Sequence, residues 1–347
     1  MDNRDHIVLS ILVVSHNQCH LLPRCMDSIL AQRLDVPYEV IVSDDRSTDG
    51  TWELIQRYQQ RYPAIVRGVK CNSDECNPSN RSERCGWNKA NAYRHARGDF
   101  FVNIDADDYL RSDDIYQLQL NALLANPDCS MCQQRAWQVQ DGAPIESGFA
   151  WPNHPNFRDG LRLVPLDLIT NGLRGLNPTY MIRRNPLGED PVELYGKLFD
   201  DTIITYYHLQ FGNVVFIDRA DYVWVQYDGS ISNSSMGMDK EVLYGLLPLQ
   251  HALLVPKFKN LFITEPNRYL VHALKATLFR KIRLQQSTVR YLSQLKGFIF
   301  DYFSGGQKGI ANRVRIALAL VTYKRISKEG KVTHREKARL YNLLLGK

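Results

Sequence analysis

Residues 7–14 read IVLSILVV, an almost unbroken run of aliphatic and β-branched side chains. A strand with one wet face alternates apolar and polar residues. A run without alternation suits a strand covered on both faces, as in a parallel sheet flanked by helices. The following residues keep to that plan. The loop Ser15–His20 leads to Leu21–Ala31, where Leu22, Cys25, Met26, Ile29 and Leu30 have helical spacing and Pro23 sits in the first turn. Tyr38–Ser43 reads as a strand, Asp44–Gly50 as a loop, Thr51–Tyr62 as a helix and Ile65–Lys70 as a strand. A long polar loop, Cys71–Cys85, precedes a helix from about Trp87 to Arg97; Asp99–Ile104 is the next strand, and a helix follows near Ser112–Asn126. This alternation predicts a doubly wound α/β sheet. Further on, Met131–Val139, Thr179–Arg183, Val214–Ile217 and Tyr222–Tyr227 read as strands and Asp200–Phe211 as a helix. From about Met236 the pattern is helical only.

In an open α/β sheet, ligands sit at the carboxyl ends of the strands. The loops there carry Ser15, His16 and Asn17, then Asp44 and Asp45, then Asp105, Asp107 and Asp108. Carboxylates gathered in one crevice repel one another and need a cation or hydrogen-bond donors to remain ionised. Mg²⁺ or Mn²⁺ accepts one or two protein carboxylates and fills its other positions with phosphate oxygens and water. Taken alone, Asp44-Asp45 with Ser47 and Asp49 also fits a turn and helix cap before Thr51.

The segments ILVVSHNQCHLLPRCMDSIL, YEVIVSDDRSTDGT and ARGDFFVNIDADDYL occur in that order between Ile7 and Leu110. Together they resemble the inverting family 2 glycosyltransferases of the GT-A fold. That resemblance implies a Rossmann-like nucleotide-sugar-binding α/β domain over residues 1–235, with a nucleotide-binding half at 1–110 and an acceptor half at 111–235. A basic α-helical region at 236–347 follows. It also implies roles. Asp44 or Asp45 resembles the carboxylate that accepts the uracil N–H, and Ser15 and Asn17 the turn beside base and ribose. Asp105 resembles the first Asp of the DxD motif, near ribose and metal, and Asp107 the second, which ligates Mn²⁺ or Mg²⁺ directly. Lys89 lies where a basic donor contact often occurs, although a lysine there also fits an ordinary surface position. The family's base is the Asp of an acidic pair at a helix start, which places it at Asp201, after Asp200. The segment Gln226–Ser232 resembles the end segment that closes over the donor, but carries none of its basic residues. Arg183 and Arg184 read as solvated side chains or as contacts to donor phosphate or acceptor.

The expected activity is inverting, metal-assisted transfer of a sugar from a nucleotide sugar, UDP-linked by preference, to a glycan or lipid-linked glycan hydroxyl. By resemblance, the setting is surface polysaccharide or lipopolysaccharide assembly. A sugar nucleotidyltransferase would carry a Gly-rich phosphate loop after the first strand, and Ser15–Gln18 holds no glycine. The other reading is a catalytically silent nucleotide-sugar-binding scaffold working through its basic tail.

Charge separates the two regions. Residues 257–347 hold 20 Lys and Arg against 4 Asp and Glu, whereas residues 1–256 hold 23 against 33. Ile310, Val314, Ala317, Leu318 and Val321 form an apolar stripe ringed by cations, a pattern suited to an anionic membrane surface or a partner subunit, including a second copy of this chain. No nucleic-acid motif is present, so nucleic acid is not an expected partner. No stretch reaches the roughly 20 apolar residues of a membrane span, and Asp2-Asn3-Arg4-Asp5 gives no apolar signal core. The expectation is a cytoplasmic protein able to touch the inner membrane face. Seven cysteines at irregular spacing fit free thiols rather than a disulfide framework, and the Cys129–Cys132 pair lacks the further ligands of a zinc site.

Overall fold

The computed structural model describes residues 6–78, 81–151, 157–164, 177–185, 190–196, 199 and 201–227. The chain divides into two compact units, Met1–Ser230 and Ile231–Lys347. The second, with the expected basic helices, lies outside the described residues, as do Asp200 and Asp228–Ser230.

The first unit is a mixed α/β fold of the GT-A, Rossmann-like kind. Strands β1 (Leu9–Ser15), β2 (Tyr38–Asp45), β3 (Val66–Cys71) and β4 (Phe100–Asp105) pair in parallel in the order β3-β2-β1-β4. All seven residues of β1 are buried, which accounts for its unbroken apolar run. Helix α1 (Leu22–Leu30) has Pro in its first turn and buries Leu22, Cys25, Met26 and Ile29 against the sheet. Each such fully buried side chain contributes roughly 1.5–3 kcal/mol. Helix α2 (Thr51–Arg61) buries Thr51, Ile55 and Tyr58. It starts after Gly50, whose φ of 92° lies in the left-handed region open to glycine, and Asp49 caps it by accepting from the Thr51 N–H at 3.1 Å. The helix-cap reading of that loop therefore holds at Asp49.

Helix α3 (Arg81–His95) begins six residues before the expected Trp87, and a short 3₁₀ turn, Ser73–Cys76, occupies part of the supposed loop. The first six residues of the helix, Arg-Ser-Glu-Arg-Cys-Gly, hold no apolar period, which hides that part of it from a periodicity search. Gly98, just before β4, abuts β1: a Cβ there would lie 2.7 Å from the Ser10 nitrogen.

The sheet continues past β4 with a change of direction. Strand β5 (Tyr109–Leu110) and helix α4 (Ile115–Ala125) follow β4 in sequence. The expected single strand Met131–Val139 is two strands, β6 (Cys129–Gln133) and β7 (Ala136–Gln140), which enter different sheets. Later come β8 (Phe149–Trp151), β9 (Arg162–Leu163), β10 (Tyr180–Arg183), α5 (Pro191–Tyr195), α6 (Asp201–Leu209), β11 (Asn213–Phe216) and β12 (Tyr222–Gln226). Strand β10 inserts antiparallel between β4 and β6. Among the described residues the first sheet has eight strands, β3-β2-β1-β4-β10-β6-β11-β9, and the second four, β5-β12-β7-β8. The carboxyl ends of β1, β2 and β4 are thus adjacent, and β12 brings the second sheet to the loop after β4 through its pairing with β5.

Candidate donor and metal site

Register places Ser15 beside Asp44, and Val14 beside Asp105. The β1 and β2 loops are laced together. Ser15 Oγ donates to Asp44 Oδ1 at 3.2 Å, and Asp44 Oδ2 accepts from the Ser47 N–H at 3.1 Å. Asn17, at φ 54°, is exposed; its N–H donates to Ser47 Oγ at 2.8 Å and its Oδ1 accepts from the Thr48 N–H at 2.8 Å. His16 Nδ1 donates to the Asp45 carbonyl at 2.6 Å. Both turns are therefore fixed by their own hydrogen bonds.

Asp45 is buried and fully engaged. Ser73 donates to it from N at 3.1 Å and from Oγ at 2.8 Å, and Arg84 Nη2 pairs with it at 2.8 Å. Burial alone would raise its pKa, but the hydrogen bonds from Arg84 and Ser73 outweigh burial and hold the carboxyl below its usual range. Asn88 closes the floor: its Nδ2 donates to the Ser15 and Ser43 carbonyls at 3.0 and 3.2 Å, tying β1 to β2. Arg84 and Asn88 carry no pattern that sequence reading could single out. Their roles arise from α3 crossing the strand ends.

At the end of β4 the environment reverses. Oxygens of Asp105, Asp107 and Asp108 lie within 4.8 Å of one another, the group of metal-ligand geometry found among the described residues. Asp108 is buried and committed to the fold: it accepts from the Tyr222 hydroxyl and, at 2.9 Å, from the Val225 N–H. Burial, then the charges of Asp107 and Asp105, push its carboxyl well above the usual range. Burial and the charge of Asp105 also lift Asp107, to about 6. The Tyr227 hydroxyl hydrogen-bonds Asp107, and burial and that carboxylate raise the phenol's own pKa. So the end segment reaches the acidic group through a tyrosine where the family pattern has basic residues.

Lys89 is not a surface lysine. Its side chain is 3% exposed, and Nζ pairs with Asp105 Oδ1 at 3.1 Å and with Asp201 Oδ1. Burial would lower its pKa, but the two carboxylates outweigh burial and keep the ammonium charged. Asp201, first residue of α6, is thereby drawn to the end of β4 from 112 residues beyond Lys89. Ser15, Asp44, Asp45, Lys89, Asp105, Asp107 and Asp201 are thus connected through β1, β2, α3, β4 and α6, with Asn17 on the exposed turn above β1.

Arg183 and Arg184 belong elsewhere. Arg183 pairs in register with Phe100, at the opposite end of β4 from Asp105. Arg183 Nη2 donates to the Leu123 carbonyl at 2.8 Å, and Arg184 donates to Gly98 and Ala96 carbonyls at 3.0 and 2.7 Å. They are neither free in solvent nor near the acidic group; they secure the far end of the sheet. Cys129 and Cys132 are buried free thiols on β6, and neither belongs to a group of metal-ligand geometry among the described residues.

Residues 10–171 match the profile of the family described as Glycosyl transferase family 2. Over those residues the chain is similar to the family 2 glycosyltransferases. An uncharacterised Mycobacterium bovis protein is 31% identical over 143 residues, 41% of this chain and 38% of that protein. A Pasteurella multocida chondroitin synthase is 30% identical over 146 residues, 42% of this chain but only 14% of the synthase. The chain thus spans well under half the length of these relatives. Among solved structures, S. aureus TarS 1-349 in complex with UDP-GlcNAc superposes with a TM-score of 0.56 at 16% identity, over 97% of this chain and 89% of that one. That likeness bears on the fold, which is GT-A. No helix among the described residues is long and apolar enough to cross a membrane.

Proposed function

We propose that this domain transfers a sugar from a nucleotide sugar, UDP-linked by preference, to a glycan hydroxyl with inversion, in the assembly of a surface polysaccharide. One observation carries the reading: Lys89 joins Asp105, at the end of β4, to Asp201, at the start of α6. A donor-side carboxylate and a candidate base from the other half of the domain meet in one place. In this reading the catalytic domain spans residues 1–235, ahead of a basic helical region at 236–347. The protein acts in the cytoplasm, with its basic region at the inner membrane face.

The residues fit a hard divalent cation. Asp105 and Asp107 supply closely spaced oxygen ligands, and the raised pKa of Asp107 reflects crowding that positive charge relieves. When bound, Mn²⁺ or Mg²⁺ supplies positive charge beside the diphosphate leaving group. The chain's own residues do the rest. Ser15, Asn17, Asp44 and Asp45 shape a fixed edge for base and ribose. Asp201 takes the proton from the acceptor hydroxyl on the face opposite the leaving group. Lys89 pairs with the Asp201 carboxylate and holds it in place. The UDP-GlcNAc and chondroitin named for the relatives support a nucleotide-sugar donor and a glycan acceptor.

The test is nucleotide release from UDP-, GDP-, dTDP- and CMP-sugars with Mn²⁺, Mg²⁺ or EDTA, comparing wild type with Asp107→Ala and Asp201→Asn. Calorimetry with each nucleoside diphosphate runs on the same samples. Metal-dependent release from one donor class, lost in Asp107→Ala, is the expected result. Absence of binding by any nucleoside diphosphate with metal present overturns the proposal.

A further inference from the structure

The second sheet has two unlike faces. Side chains alternate along a strand, so Leu110, Tyr222, Trp224, Gln226, Ala136, Gln138, Gln140, Phe149 and Trp151 share one face in register. None of these is charged. Val139, Val223 and Val225 on the other face make a small core with Tyr109 and Trp137. At one end of the uncharged face Leu110, Ala136 and Tyr222 are buried in the main core, with Trp224 packed against it, while the end holding Gln138, Gln140, Phe149 and Trp151 is open. Phe149 is 54% exposed, and Trp151 and Trp224 are half-buried, with ring centroids 6.3 Å apart and planes tilted by 60°.

Two features connect this face to the acidic group. Tyr222 lies on it, and its hydroxyl donates to Asp108. Trp224 is two residues along the same strand, about 7 Å away. The face also holds an unanswered donor: Gln226 is 7% exposed, and its Nε2 has no hydrogen-bond partner. Buried amides are normally satisfied, so this donor is available to an acceptor on a ligand.

We infer that this face, centred on Trp151 and Trp224 with Phe149 and Gln226, is a saccharide subsite that receives the acceptor glycan next to the proposed transfer site. Aromatic rings cover the apolar faces of pyranose rings, while amide N–H groups donate to sugar hydroxyls. Because the face is uncharged, it favours neutral sugar rings over a phosphate-rich or uronate-rich chain. The inference rests on the glycosyltransferase reading for its role, but saccharide binding is measurable without any donor.

The probes are chitotetraose, cellotetraose and a hyaluronan tetrasaccharide, titrated by calorimetry and saturation-transfer NMR against the full chain. Trp151→Ala should weaken the neutral tetrasaccharides by about ten-fold or more, and Trp151→Phe should restore most of the affinity. UDP binding with Mn²⁺ should be unchanged in both, which also reports that the fold is intact. Phe149→Ala, at an exposed edge position, should weaken binding with no effect on thermal unfolding. The inference is overturned if no tetrasaccharide binds, if Trp151→Ala and Phe149→Ala both bind like wild type, or if the charged tetrasaccharide is preferred. Loss of UDP binding in wild type, with tetrasaccharide binding intact, would instead count against the donor reading alone.

Discussion

Two pairs of aspartates stand at the ends of neighbouring strand systems, and the protein treats them in opposite ways. Asp44 and Asp45, at the end of β2, meet donors at every turn: Ser15, Ser47, Ser73 and Arg84. Asp45 pairs with Arg84 and is held ionised to low pH, while Asp44 accepts from the two serines. Asp107 and Asp108, after β4, face chiefly each other and Asp105, with two tyrosine hydroxyls and two backbone N–H groups as donors, and both are pushed up. The first pair is a finished structural element. The second is crowded in a way that a cation would correct. Similar short acidic motifs can thus sit in opposite electrostatic settings, and the difference lies in what other segments bring to them.

The largest effect should come from breaking the second group. Asp107→Ala should reduce metal-stimulated nucleotide release by roughly 10²–10³-fold, read in steady-state kinetics with and without EDTA. Retained release would remove Asp107 from the metal site. Lys89→Met severs the link between the two halves and leaves Asp105 and Asp201 facing each other without the ammonium. A loss of about 3 kcal/mol in unfolding free energy is expected, measured by urea denaturation, with turnover falling more than UDP affinity. An unchanged midpoint would make the link incidental.

Protonation offers a third probe. His208 on α6 is fully buried; its Nδ1 donates to the Ile204 carbonyl at 2.7 Å, and its Nε2 has no partner. Burial lowers its pKa to about 4, against 6.5 when exposed. The unfolded chain therefore binds a proton there more readily. This contribution to stability is complete above about pH 6.5 and is lost as pH falls towards 4, by about 3 kcal/mol in total. Urea titrations between pH 7.5 and 4.5 should show that slope, and His208→Phe should flatten it. Asp107 enters through ligand binding: Mn²⁺ must displace its proton, so affinity should weaken as pH drops through about 6.

The smallest effects sharpen the contrast itself. Asp45→Asn strands Arg84 and should cost about 1–3 kcal/mol, because Arg84 retains some solvent. Asp107→Asn relieves repulsion and should raise the metal-free midpoint slightly, within about 1 kcal/mol. Matching signs in the two variants would collapse the distinction between the pairs.

The crevice half was legible because its strands are buried on both faces, and the carboxylates follow them directly. The end of β2, the start of β4 and helix α1 were each placed within two residues. The second half was less so. Strands β6 and β7 are separated by only two residues but belong to different sheets, and no local pattern marks that divergence. The first six residues of helix α3, Arg-Ser-Glu-Arg-Cys-Gly, carry no apolar period and read as loop. Lys89, Asp105 and Asp201 each stand out in the sequence, but not as partners. The burial of Lys89 depends on Asp201, and a contact across 112 residues leaves no trace in spacing. Asn88, Arg84, Tyr222 and Tyr227 were overlooked for the same reason.

That long reach has a consequence during synthesis. At roughly 5–20 residues per second, the ribosome completes Lys89 on the order of 6–20 seconds before it adds Asp201. In that interval the early half can assemble β1 to β4, yet its lysine has Asp105 alone for company. The charges of Lys89, Asp105 and Asp201 balance only when helix α6 arrives, so this ion-pair group is completed late in the life of a nascent chain.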